Sequence, residues 1–162
     1  MRTSVALRRF EVHLRSKGLR VTRPRQTILE LAWSTHGHFT AEDIFQWARK
    51  KELAIARATV YRTLALLVEG GFLAPLDSGR GQLLYEHILG HKHHDHMICL
   101  RCGRIVEFRS PEIERLQDEA AAGHGFHILH HSLILEGMCG TCSREHPGLL
   151  AGEDHPPPKT GS

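Results

Sequence analysis

Apolar positions in the first half of the chain recur at helical spacing. Leu7, Phe10 and Leu14 fall at i, i+3 and i+7, and Gly18 stands where a left-handed residue would end that helix. Thr22-Arg23-Pro24 opens a second helix, proline being tolerated in the first turn, with Ile28, Leu31 and Ala32 facing inward. Thr40-Ala41-Glu42-Asp43 has the form of a capping box ahead of Ile44, Trp47 and Ala48. A fourth helix, from about Ala58 to Glu69, keeps Val60, Leu64 and Leu67 on one face and stops at Gly70-Gly71. Two short strands then follow, Phe72 to Leu76 and Gln82 to Glu86, around the turn Asp77-Ser78-Gly79-Arg80-Gly81. A β-ribbon directly after a helix is a wing, so this half predicts a winged helix-turn-helix.

The second half mixes the two periods. Arg104 to Phe108 predicts a strand, Ser110-Pro111-Glu112 opens a helix with Ile113, Leu116 and Ala120 inward, and a further strand runs from about Ile128 to Leu135. The fold class is therefore α+β, a winged helix followed by a small α/β module. We divide the chain into residues 1–87, residues 88–142 and a polar tail, 143–162, expected to be disordered.

Charge separates the halves further. Residues 1–83 carry 14 Lys and Arg against 7 Asp and Glu, a net of +7. Residues 84–162 carry 7 against 11, a net of −4, and hold 11 of the 14 histidines and all four cysteines. The basic half suits a polyanion. In a helix-turn-helix, residues near the start of the second helix reach base edges or phosphates, which nominates Thr59, Tyr61 and Arg62. The first 25 residues, with eight Lys and Arg against one acid, suit a phosphate-contacting arm. The expected partner is double-stranded DNA. No apolar run approaches the ~18 residues of a membrane span, and none follows the basic N-terminus as a signal sequence would, so a cytoplasmic protein with no membrane partner is expected.

The acidic half carries metal chemistry. Cys99-Leu100-Arg101-Cys102 and Cys139-Gly140-Thr141-Cys142 are two C-x-x-C knuckles, able to wrap one tetrahedral zinc in four thiolates. Disulfides or a redox pair are the alternatives, and the cytoplasmic setting disfavours disulfides. The run His91-Lys92-His93-His94-Asp95-His96 leads into the first knuckle. If residues 93–98 are extended, His94 and His96 point to one face, and His93 and Asp95 to the other. One short segment could then feed two sites. Imidazole with carboxylate suits Fe(II), Mn(II) or Zn(II). His91, His93, Asp95 and His96 also match the H-x-H-x-D-H pattern of metallo-β-lactamase-type hydrolases. That fold needs a longer chain with further ligands downstream, which argues against an enzyme and against a small organic substrate.

The runs Ala58-Thr59-Val60-Tyr61-Arg62-Thr63-Leu64, His93 to Gly103 and His130-His131-Ser132 resemble those of the ferric uptake regulator (Fur) family, in family order over residues 8–142. The resemblance implies a metal-dependent repressor that binds palindromic operators as a homodimer and controls metal-uptake genes. In that picture residues 88–142 form the dimerisation domain. It also implies roles by position: Cys99, Cys102, Cys139 and Cys142 for structural zinc; His38, Glu86, His94, His96 and Glu107 for the regulatory ion; and His93, Asp95, Glu114 and His131 for an additional site. Tyr61 and Arg62 match the operator-contacting helix, and Arg20 a minor-groove arm. The family includes iron, zinc, manganese and peroxide sensors. Peroxide sensors are similar to each other in placing aspartates where this chain has Glu86 and Glu107, and zinc sensors often place a cysteine in a sensory site. The expected effector is Fe(II), with Mn(II) or Zn(II) as the alternative. Five histidines thereby gain roles, and the other nine are expected to be incidental.

Overall fold

The computed structural model describes residues 2–79, 81–90 and 93–147. It divides into two compact units, the division falling after His93. The expected tail beyond residue 147, Arg80 of the wing turn and His91-Lys92 lie outside the described residues.

The first unit runs α1 (Thr3–Ser16), α2 (Arg23–Trp33), β1 (Phe39–Thr40), α3 (Ala41–Lys50), α4 (Arg57–Glu69), β2 (Leu73–Asp77) and β3 (Leu83–His87). Helix α1 buries Ala6, Phe10 and Leu14 at helical spacing. It ends because Gly18, at φ +66°, turns the chain so that Leu19 N–H reaches Leu14 O and Gly18 N–H reaches Arg15 O. Gly71, at φ +69°, ends α4 by the same pair of bonds, from Phe72 to Leu67 and from Gly71 to Val68. Thr40 caps α3 with the predicted box: its hydroxyl accepts from Asp43 N–H, and the Asp43 carboxylate accepts from Thr40 N–H. Ile28, Ile44, Val60, Leu64 and Leu67 are all fully buried, and α2, α3 and α4 meet on them. β2 and β3 form the wing in antiparallel register from Leu73↔His87 to Asp77↔Leu83. The pattern gave no hint of β1, which adds a third strand through Phe39↔Tyr85 and Thr40↔Leu84.

The second unit holds β4 (Asp95–Cys99), β5 (Ile105–Phe108), α5 (Pro111–Gly123), β6 (Ile134–Gly137) and α6 (Gly140–Glu145). β4 is central, antiparallel to β5 and parallel to β6. Three expectations need correction. The strand anticipated from Ile128 begins only at Ile134, because its ladder on β4 starts at His96↔Ile134 and β4 itself starts just one residue earlier, at Asp95. Leu116, expected inward, is 52% exposed, Ala120 is exposed too, and α5 has no buried residue. The helical pattern located the apolar face, but period does not say what covers it, and among the described residues none buries Leu116 or Ala120. Finally, α6 extends three residues into the segment assigned to the tail, with Ser143, Arg144 and Glu145 helical.

Candidate metal centres and nucleic-acid interface

The four cysteines converge through strand pairing. Cys99 ends β4, and Gly103 N–H returns to Cys99 O, closing the first knuckle. The parallel partner β6 places Gly137 beside Cys99, so the chain leaving β6 delivers Cys139, the cap of α6, and Cys142 within it. All four are free thiols with sulfur atoms within 4.8 Å of one another. The Cys102–Cys139 sulfur separation is 3.7 Å, close to the ~3.8 Å edge of a tetrahedron built on zinc–sulfur bonds of about 2.3 Å. Burial works against a thiolate at Cys99, but backbone N–H groups around it, including that of Cys139 at 3.2 Å, outweigh this and pull the thiol down to about 6. Cys139 is lowered by the Cys142 backbone N–H, against its own burial. Cys142, by contrast, is pushed up to about 12 by burial and by its sulfur neighbours. The cluster has one thiolate ready-made and another that only a cation would stabilise. This donor set fits zinc.

A second cluster lies in the same unit. Asp95, at the start of β4, is 1% exposed. His131 Nε2 lies 3.9 Å from Asp95 Oδ1 and 3.3 Å from Glu114 Oε2 of helix α5. A carboxylate so deeply buried requires compensating charge, which a protonated imidazole or a metal ion supplies. His93, also assigned here by resemblance, is exposed and precedes the unit by one residue.

The residues assigned to a regulatory ion form one set in each unit. In the first, extending the β1–β3 register by one position sets His38 against Glu86, and His38 Nε2 stands 3.6 Å from Glu86 Oε2. In the second, the β4–β5 register pairs His96 with Glu107. His94 Nε2 lies 3.9 Å from Glu107 Oε2, and the His94 and His96 rings meet edge to face at 4.9 Å. Imidazole and carboxylate donors of this kind fit a borderline divalent transition metal.

On the first unit, an open groove of about 700 Å³ is lined by Arg20, Arg25, Thr59 and Arg62. It joins the segment before α2 to the first turns of α4, bringing three of the four nominated DNA residues together. Tyr61, the fourth, is 56% exposed on α4. Arg62 Nε donates to Ala58 O, which holds its stem along the helix. The sequence reading did not nominate Arg25, which lines the same groove and whose only cue was its place in the basic arm. It also counted His87 as incidental, whereas His87 is 5% exposed inside the first unit. The other unassigned histidines described in the second unit (His124, His127, His130 and His146) lie at loops or ends.

A winged helix, a small α/β unit, a four-cysteine centre and clustered imidazoles and carboxylates define a metal-binding regulator of transcription. Residues 16–136 match the Ferric uptake regulator family, and the chain belongs to it. It is 39% identical over 143 residues to the ferric uptake regulation protein of Campylobacter jejuni, spanning 87% of this chain and 90% of that one. Its fold is similar to the ferric uptake regulator Fur of Helicobacter pylori, for which three functional metal binding sites are described (TM-score 0.79, 28% identity, 88% of this chain and 95% of that chain). It is also similar to a zinc uptake regulator solved with zinc and DNA (TM-score 0.54, 26% identity, 91% and 99%). The family consists of transcription regulators, so the chain is a metal-responsive regulator and not a hydrolase. Among the described residues no helix is long and apolar enough to cross a membrane.

Proposed function

We propose that this protein is an Fe(II)-dependent repressor that acts in the cytoplasm, binds palindromic operator DNA as a homodimer and controls metal-uptake genes. The observation that carries the proposal is the division of donors: His38 and Glu86 belong to the winged-helix unit, and His94, His96 and Glu107 to the other. Neither set alone fills the coordination of a divalent ion. When bound, such an ion supplies the charge that lets both sets share one site. Residues drawn from both units then favour one relative orientation, and the population shifts toward a dimer whose recognition helices fit the operator. A few kcal/mol of differential affinity moves such an equilibrium about a hundredfold.

In this reading residues 1–87 bind DNA, with Thr59, Tyr61 and Arg62 at the major groove and Arg20 in the arm. Residues 88–142 dimerise. Met97, Val106 and Leu135 support this, being apolar side chains at least 40% exposed on one small sheet. Cys99, Cys102, Cys139 and Cys142 hold structural zinc, and His93, Asp95, Glu114 and His131 an additional ion. With every cysteine in the knuckles, the regulatory set lacks the cysteine that zinc sensors often place in a sensory site, which favours iron over zinc. The similarity to a zinc uptake regulator supports a second reading, the same device responding to zinc, and manganese suits the same imidazole and carboxylate donors.

The test is operator affinity under anaerobic conditions with Fe(II), Mn(II) and Zn(II), the structural zinc held constant. Fe(II) should stimulate binding most, and His38→Ala and His94→Ala should abolish the stimulation while the dimer persists. Metal-stimulated binding by both variants would overturn the proposal, and a stronger response to Zn(II) or Mn(II) would replace the effector.

A further inference from the structure

His87 follows Glu86 on β3, so their side chains leave the strand on opposite sides. Glu86 meets His38. His87 turns inward, 5% exposed, and its ring stacks on Trp33, the last residue of α2, with centroids 4.9 Å apart and planes 12° from parallel. Its Nε2 is within hydrogen-bond distance of Thr35 O. Since that partner is a carbonyl, the nitrogen is the donor. The ring is thus fixed on two sides, by stacking and by the hydrogen bond.

Thr35 belongs to the short link, residues 34–38, between α2 and β1. His38 is the last residue of that link. Its C-terminal side is held by the Phe39↔Tyr85 pairing. Its N-terminal side has no ladder, and a glycine, Gly37, lies directly before it; the His87 bond to Thr35 ties that side down. We propose that His87 is a positioning residue for His38: one strand supplies a ligand partner, Glu86, and beside it the anchor of the segment that presents His38. This rests on the reading above that His38 and Glu86 bind the regulatory ion. Side chains that orient a metal ligand typically change metal affinity 10–100-fold when removed.

The test titrates Co(II), a spectroscopic probe, into the zinc-loaded full-length protein. The absorption lost in His38→Ala identifies the ion that His38 holds. His87→Phe keeps a ring against Trp33 but removes the donor, and should weaken that Co(II) binding at least tenfold. His87→Gln restores a donor and should recover most of the affinity, which a merely structural loss would not allow. Zinc content and circular dichroism report whether each variant is folded; should the Phe variant misfold, His87→Met, another donorless side chain, repeats the test. Unchanged affinity in the folded donorless variant, or no recovery with Gln, would overturn the proposal. If His38→Ala itself binds Co(II) normally, the regulatory assignment has failed, a result distinct from failure at His87 alone.

Discussion

The two units are stabilised by different physics. In the first, side chains such as Phe10, Ile28, Phe39, Ile44, Leu64 and Leu67 are all less than 2% exposed and share one cluster. Burying each stabilises the fold by roughly 1.5–3 kcal/mol. In the second, the buried residues among those described are Ile98, Cys99, Cys142, Asp95 and His96, of which only Ile98 is an ordinary core residue. Apolar side chains there, such as Leu116 and Phe126, stay more than half exposed. One unit carries its own core. The other has donor clusters in place of a core, and apolar surface that suits a second copy.

The sharpest way to break this contrast is to remove the zinc. Binding free energies of structural zinc are about 10–16 kcal/mol in zinc-finger peptides, and that energy is folding energy. Cys102→Ser, or strong chelation under reducing conditions, should therefore unfold the second unit and with it abolish the proposed dimer. Both tryptophans, Trp33 and Trp47, lie in the first unit. Their fluorescence should stay native while circular dichroism records the loss. Loss of the tryptophan signal along with the second unit's structure would show that the units do not stand apart energetically.

The converse perturbation is smaller. Leu67→Ala empties a fully buried site between helices and should cost about 2–5 kcal/mol. The tryptophan-detected melting transition should fall by several degrees while zinc content stays unchanged. A drop in bound zinc would contradict the separation from the other side.

The same contrast explains what was legible in the sequence. Helices α1 to α4 and the wing were readable because one apolar face per element meets one core, so period alone locates the elements. The face of Leu116 and Ala120 was just as periodic, yet period cannot say whether a neighbour exists to cover it. The β6 boundary failed for a related reason: Ile128 to Leu133 have strand composition, but the start of the strand is set by its partner β4. The cysteine knuckles and the two faces of the His-rich strand were legible through spacing, since C-x-x-C and alternating His-x-His fix geometry locally, whereas His38, Glu86, Glu107, Glu114 and His131 entered as candidates only through the family resemblance. His87 was invisible because its partners, Trp33 and Thr35, are remote in sequence and carry no motif.

The finest prediction concerns protons released when zinc enters the metal-free, reduced protein. Ligating thiols must be thiolates, so each thiol still protonated gives up one proton on binding. Cys99, drawn down to about 6, is already deprotonated at pH 7.5, whereas Cys142, pushed up to about 12, is not. Zinc binding at pH 7.5 should therefore release fewer protons than there are cysteines, with Cys142 always contributing. As pH falls through 6, Cys99 takes up its proton, so the count rises by one and the apparent zinc affinity falls more steeply. Calorimetry in buffers of different ionisation enthalpy measures the count. A full proton per cysteine at pH 7.5 would show that the backbone N–H groups around Cys99 do not hold a thiolate before the metal arrives. The order of events at the centre would then be metal first, charge second, rather than the reverse.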